Sequence, residues 1–324
     1  MYSPDPTRIT IEPPASEVRS KLRPAPLEDA VVGAIGNTPL VPLSSIAGST
    51  GAEFELWAKA EQLNPTGSVK DRAARGIVLD AIADGRLGAG RTLMDASSGN
   101  TAVAYAMLGA RLGFPVELIL PSNAHPSRVA RIRSFGARVV FTDPGEGTDG
   151  AQREARRRAS AEGERYFYPD QYNNPSNPRA HYTTTGPEIW RQSAGRVSHF
   201  VAGVGTGGTI SGASRYLKER NPTVRVTGVE PPGPVHGIEG LKHLPTALRP
   251  TTYDARYVDE TCRVETEDAL EMQRRLAREE GLTVGASAGA AVWAAVQVGR
   301  SNPGSFVVTI LPDGGHGTAE EAVR

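Results

Sequence analysis

Cysteine is almost absent from this chain. Cys262 is the only one in 324 residues, which excludes an intramolecular disulfide and any thiolate zinc cluster built within one chain. The six histidines are scattered, and none falls in the HExxH spacing of a helix-borne metal site. There is no excess of charge: 36 basic residues balance 36 acidic ones, which argues against a nucleic-acid binder driven by phosphate contacts. No apolar run approaches the ~20 residues that a membrane-spanning helix needs. The first thirty residues are rich in proline and in charges of both signs, and they lack the apolar core of a secretory signal. These absences predict a soluble, cytoplasmic protein with neither a nucleic-acid nor a membrane partner. What remains is ordinary globular composition, 39% hydrophobic and 22% charged. A chain of this length buries roughly three quarters of its unfolded surface and needs no staples.

Residues 1–29 read as an irregular N-terminal arm. From Val31 onward, short β-branched runs alternate with amphipathic stretches. Thr92–Asp95, Val116–Leu120, Arg138–Phe141, Phe200–Gly203, Val224–Val229 and Phe306–Leu311 read as strands. Helices are expected from Thr101 to Leu112 (closed by Gly113), through Ile132 and Phe135 to Gly136, and up to Arg220. Such alternation predicts βαβ units and a largely parallel sheet, an α/β fold. It breaks at Tyr168–Asn177, which suits a connection between two lobes, and across Glu230–Arg263. The second break holds Pro231, Pro232, Gly233, Pro234, Gly237, Gly240 and Pro245, so it reads as a long functional loop.

Four turns rich in glycine or serine stand at the starts of helices, where a parallel sheet gathers its ligand-binding loops. In Asn64–Arg72, Thr66 or Ser68 can cap a helix whose apolar stripe is Val69, Ala73, Ile77 and Ala81. Lys70 then falls in or beside the first turn, where the positive end of the helix lowers its pKa. A lysine that readily loses its proton suits Schiff-base chemistry, although an ordinary surface lysine has the same local sequence. Ser97-Ser98-Gly99-Asn100-Thr101 offers amides and hydroxyls to an anion, or simply caps a helix. Gly205-Thr206-Gly207-Gly208-Thr209 has three glycines in four positions, which lets backbone wrap a phosphate. No Gly-Lys-Ser/Thr follows, so it is not a P-loop. Gly285–Ala290 has small residues that admit either a flat ligand or a close helix.

Taken together, Ile35–Leu40, Asn64–Arg72, Ser97–Thr101, Gly203–Gly212 and Gly285–Ala290 resemble the motifs of the fold type II pyridoxal-phosphate enzymes, and most closely the cysteine synthase and cystathionine β-synthase family. They occur in family order across roughly Val31 to Gly315. The resemblance implies a two-lobed α/β fold like that of the tryptophan synthase β-subunit, each lobe a mostly parallel twisted sheet flanked by helices. Its lobes would be 64–174 and, for the larger cofactor-binding lobe, 30–63 plus 175–324. It implies pyridoxal 5′-phosphate as cofactor, held by Lys70 as Schiff base, Asn100 at the 3′-oxygen, Gly205, Thr206, Gly207, Gly208 and Thr209 at the phosphate, and Ser287 at the pyridine nitrogen. Ser97, Ser98, Thr101 and Gln171 would bind the substrate α-carboxylate, and Lys70 would also be the catalytic base. The implied reaction is β-replacement through an α-aminoacrylate, giving L-cysteine. A neutral hydroxyl from Ser287 does not stabilise a protonated pyridine, which suits β-replacement better than transamination. Ser97 stands where the family usually has threonine and Ala102 where it has glycine. After Gly315-His316, the chain continues with Gly317-Thr318 and lacks the Tyr-Leu-Ser/Thr continuation that the family leads one to expect there.

Rival readings within the resemblance are weaker. Haem-bearing cystathionine β-synthases use an N-terminal Cys/His segment, and this arm has no cysteine. Serine and threonine dehydratases usually have Ser-Phe-Lys where this chain has Ser68-Val69-Lys70, and a silent binding subunit would lose Lys70. Lys242 lies close to where phosphoserine-using relatives carry an arginine, so O-phospho-L-serine is favoured and O-acetyl-L-serine comes next. A cation there suits a leaving group with nearly two negative charges. The family also implies a homodimer, and some members take sulfur from a thiocarboxylate carrier protein.

Overall fold

The computed structural model describes residues 29–88 and 90–315. The expected N-terminal arm, apart from Asp29, lies outside them, as does His316-Gly317-Thr318. Ten strands are present among the described residues. They are β1 (Leu40–Pro42), β2 (Glu55–Ala60), β3 (Thr92–Ala96), β4 (Val116–Pro121), β5 (Arg138–Thr142), β6 (Tyr166–Phe167), β7 (His199–Gly203), β8 (Arg225–Glu230), β9 (Glu260–Arg263) and β10 (Phe306–Leu311).

The chain forms two compact units. One holds the described residues up to Val32 together with Val78–Asp170; the other holds Gly33–Ile77 and Gln171 onward. The division falls inside the helix Lys70–Ala83, so residues 64–77 and 171–174 join the larger unit rather than the smaller lobe in which the motifs put them. The reason is bonding that the sequence pattern does not show. Ser68 bridges Asp313, Val69 N–H donates to Pro312 O at 2.8 Å, and Asn177 Nδ2 donates to Gln171 O at 2.8 Å.

In the first unit the sheet order is β5-β4-β3-β6, every pair parallel. β4 is buried along its whole length, as expected of a central parallel strand covered on both faces. Its one charged residue, Glu117, is satisfied by Arg158 at 2.9 Å, Arg138 at 3.1 Å and the Tyr166 hydroxyl at 3.2 Å. The helix Asn100–Leu112 ends on Gly113 at φ 81°, the left-handed cap that glycine adopts without strain.

In the second unit the order is β1-β2-β10-β7-β8-β9, with β1 alone antiparallel. β10 is central and fully buried, and its alternation feeds two cores. Val307 and Leu311 pack with Val201, Val229 and the helix Ala286–Ser301, while Phe306, Val308 and Ile310 pack with Phe200, Val226 and Leu217. The intervening Thr309 is satisfied by donating to Val201 O at 3.0 Å. β9 lies inside the segment read as one long loop. As a largely exposed edge strand it carries no apolar alternation that would mark it.

β2, β7, β8 and β10 run parallel, so the segments after Ala60, Gly203, Glu230 and Leu311 all leave the same edge of the sheet. Ligands of open α/β sheets bind at that edge.

Candidate active site

The helix Lys70–Ala83 starts on a built turn. Gly67 adopts φ 81°, Ser68 Oγ accepts from Lys70 N–H at 3.2 Å, and Asp71 accepts from both the amide (2.7 Å) and the hydroxyl of Thr66. Behind it lies a buried ion network of two cations and two anions. Arg72 donates to Glu61 (2.7 Å) and Glu188 (2.8 Å), and Lys59 lies 2.6 Å from Glu188. Burial opposes ionisation of Glu188, but Arg72 and Lys59 overcome it and hold its carboxyl at about 2. Glu188 also accepts from Asn37 N–H at 2.9 Å, and Asn37 is held at φ 47°. The Ile35–Leu40 and Asn64–Arg72 motifs are thus fastened to one another.

Lys70 is partly accessible, and its pKa is lowered. Loss of hydration is the leading cause, opposed by the negative charges of Asp313 and Glu239. Burial is an influence that the sequence pattern did not show. Asp313 also organises the next turn. It pairs with Ser68, its carbonyl accepts from Gly285 N–H at 3.2 Å, and a Cβ on Gly285 would meet its Oδ1 at 2.3 Å. Gly285 caps the helix Ala286–Ser301, which puts Ser287, 6% exposed, in the first turn. Asp313 connects Lys70 to the Ser287 turn, a function that no sequence motif assigns to it.

After β7 the Gly205–Thr209 loop turns into the helix Gly208–Arg220. Gly207 is left-handed at φ 82°, and a Cβ on Gly205 would lie 2.2 Å from Gly240 O, closer than any side chain allows. The N-cap, Gly207, has no side chain to offer this helix, and Thr206 Oγ1 accepts from Gly208 N–H at 3.3 Å. Thr206 is pinned by Asn177 Nδ2 (3.1 Å) and by Thr252 Oγ1, which donates to its carbonyl at 2.5 Å. Lys242 N–H donates to Val204 O at 2.9 Å, so Lys242 stands beside the loop, its ammonium 4.7 Å from the centre of the Tyr172 ring. His236 and His243 are tied into their own turns through Ile238 N–H and Thr246 Oγ1. Gln171 is buried.

Ser97, Ser98, Asn100 and Thr101 lie in the first unit, on the turn from β3 into the helix Asn100–Leu112. Gly99 caps that helix and donates to Ser97 Oγ at 3.4 Å. Ala102, where the motif usually has glycine, is fully buried. Below the turn, Asp95 is buried, its Oδ2 without a hydrogen-bond partner among the described residues, and burial raises its carboxyl to about 8.

The second unit therefore brings Lys70, Gly205–Thr209, Ser287, Gln171 and Lys242 onto the loops of one sheet edge. A glycine-rich helix N-terminus suits a phosphate, and a lysine whose proton is easily lost suits an aldehyde. The residues fit a phosphorylated aldehyde cofactor. They define the class as pyridoxal-phosphate chemistry, and residues 31–313 match the family model described as pyridoxal-phosphate dependent enzyme.

Known proteins narrow the class. The chain is 47% identical over 292 residues to a cysteine synthase of Aquifex aeolicus, covering 89% of each chain. It is 42% identical over 281 residues to cysteine synthase B of Escherichia coli, covering 87% of this chain and 91% of that one. The crystal structure of a cysteine synthase from Entamoeba histolytica superposes with a TM-score of 0.87 at 31% identity, covering 97% of this chain and 94% of that one. The chain belongs to the cysteine synthase/cystathionine β-synthase family of fold type II pyridoxal-phosphate enzymes. It is an enzyme of β-replacement, joining a serine derivative to a sulfur or nitrogen donor.

Proposed function

We propose that the protein makes L-cysteine from O-phospho-L-serine and a sulfur donor. The observation that carries this choice is Lys242, fastened by its own backbone to Val204 beside the Gly205–Thr209 loop. Its ammonium rests 4.7 Å from the Tyr172 ring, a contact that a dianionic phosphate can outcompete. An acetyl ester carries no charge for it to meet.

In this reading Lys70 holds the aldehyde carbon of pyridoxal phosphate. Gly205–Thr209 hold the phosphate, Ser287 the pyridine nitrogen and Asn100 the 3′-oxygen. When bound, the cofactor supplies an electron sink for the electrons released at the substrate Cα. Ser97, Ser98, Thr101 and Gln171 orient the substrate by its carboxylate. Lys70 Nζ, kept unprotonated more readily by burial, would take the Cα proton. The proposal extends to a cytoplasmic homodimer supplied with sulfide or with a thiocarboxylate carrier protein.

O-acetyl-L-serine is the competing substrate, since an Entamoeba histolytica structure of the same fold is named O-acetylserine sulfhydrylase. The two separate on Lys242→Ala. Phosphoserine kcat/KM should fall by about one to two orders of magnitude, as expected for loss of a charge-assisted hydrogen bond worth ~1.5–3 kcal/mol, while acetylserine kcat/KM stays within about twofold. Equal losses on both substrates, or a parent enzyme inert toward phosphoserine, would return acetylserine to first place.

A further inference from the structure

His181 is buried, 1% exposed, in the last turn of the helix Ser176–Thr183, and no motif marks it. Both ring nitrogens meet hydroxyls. Nδ1 lies 2.9 Å from Thr185 Oγ1, and Nε2 lies 3.2 Å from Thr209 Oγ1, the last residue of the glycine-rich loop. Burial, reinforced by the positive charge of Arg72, drives the imidazole pKa down to about 3, so the ring is neutral and carries one N–H.

Which nitrogen carries the hydrogen follows from what each hydroxyl needs. Thr185 is 0% exposed, and its described hydrogen-bond partner is His181 Nδ1. If Nδ1 carried the hydrogen, Thr185 would accept it, and its own buried O–H would be left without an acceptor, an unfavourable state. Thr185 therefore donates to Nδ1, and the hydrogen sits on Nε2. Nε2–H donates to Thr209 Oγ1, which leaves the Thr209 O–H to be given away on its other side. A phosphate dianion offers only acceptors, and Thr209 meets it as a donor.

We propose that His181 is a positioning residue: the relay Thr185 to His181 to Thr209 fixes the direction of the Thr209 hydroxyl so that it donates to the anion bound by the Gly205–Thr209 loop. The inference rests on the reading of that loop as the cofactor's phosphate site. It predicts one tautomer, Nε2–H, whether or not phosphate is bound, because Thr185 rather than the ligand sets it.

The test has two arms. Nitrogen NMR of the 15N-histidine-labelled holoenzyme and apoenzyme, with the His181 signals assigned by their loss in His181→Gln, reads the tautomer directly. A protonated Nε2 and bare Nδ1 between pH 6 and 8, unchanged by inorganic phosphate, are expected; a protonated Nδ1 or a doubly protonated ring overturns the proposal. The second arm is the dissociation rate of pyridoxal phosphate. Thr185→Val and His181→Leu should release it about tenfold faster, whereas His181→Gln, which keeps a donor near the Nε2 position, should stay within about threefold of the parent. Thr185→Val keeps the arm readable if His181→Leu does not fold. If Thr209→Val releases the cofactor quickly while Thr185→Val does not, the relay fails and the loop reading stands. If Thr209→Val releases it no faster than the parent, the loop reading fails and takes the relay with it.

Discussion

Glu188→Gln tests whether the buried network behind Lys70 acts as the charges indicate. The parent network holds Lys59 and Arg72 against Glu61 and Glu188, with the side chains of Lys59, Arg72 and Glu61 at most 1% exposed and that of Glu188 10% exposed. Gln keeps the shape and an acceptor but leaves one buried positive charge in excess. Glu188 falls from 4.5 to about 2 on folding, because Arg72 and Lys59 outweigh the cost of its burial. That shift corresponds to about 3 kcal/mol of stability at neutral pH. It is an upper bound, because hydration loss lowers the Lys59 pKa and shows that Lys59 is buried at a net cost despite Glu188. The folded pKa is depressed, so the contribution is fully present above about pH 4.5 and is lost as pH falls toward 2. At pH 3 about 1.4 kcal/mol remains. Urea denaturation of parent and variant at pH 7 and pH 3 measures both values. A variant as stable as the parent at pH 7, or a difference that does not shrink at pH 3, would refute the reasoning.

Asp95→Asn should act with the opposite sign. The parent carboxyl stays protonated up to about 8 in the folded state, so the folded protein holds a proton that the unfolded chain releases near pH 4, and stability declines as pH rises between those values. Asn removes that decline, and denaturation midpoints from pH 5 to 9 that run parallel for parent and variant would contradict it. Asp313→Asn removes a negative charge that raises the Lys70 pKa against burial, so Lys70 should lose its proton at a lower pH. The pH midpoint for acylation of Lys70 in the apoenzyme reads this, and an unmoved or higher midpoint counts against it.

The fold was legible where burial is symmetrical. β4 and β10 are apolar because both faces are covered, and such runs stand out in a sequence. β1 and β9 are edge strands with exposed or half-exposed residues, so nothing in their composition separates them from loop. The division between the two compact units is hidden for a related reason. Residues 64–77 follow the first unit in helical pattern but are bonded to Pro312 and Asp313, more than two hundred residues away, and no periodicity reports that.

The same distinction runs through the site. A group whose role depends on local backbone is visible from sequence: glycines at Gly205 and Gly207, the small residues before Ser287, the turn into the helix of Lys70. A group whose role depends on what stands opposite it is not. Lys70 shows both sides. Its place at a helix start was readable, and the expected direction of its pKa was right, yet the burial that lowers it and the Asp313 and Glu239 charges that oppose this arise only in the folded chain. His181 is the extreme case, since its partner Thr209 is 28 residues further on and its other partner is an unremarkable threonine in the next helix. Both hydroxyls are common and the histidine is common; their order along one line of hydrogen bonds carries the information. It follows that Thr185, which touches neither substrate nor cofactor, should matter to cofactor retention as much as the histidine it orients.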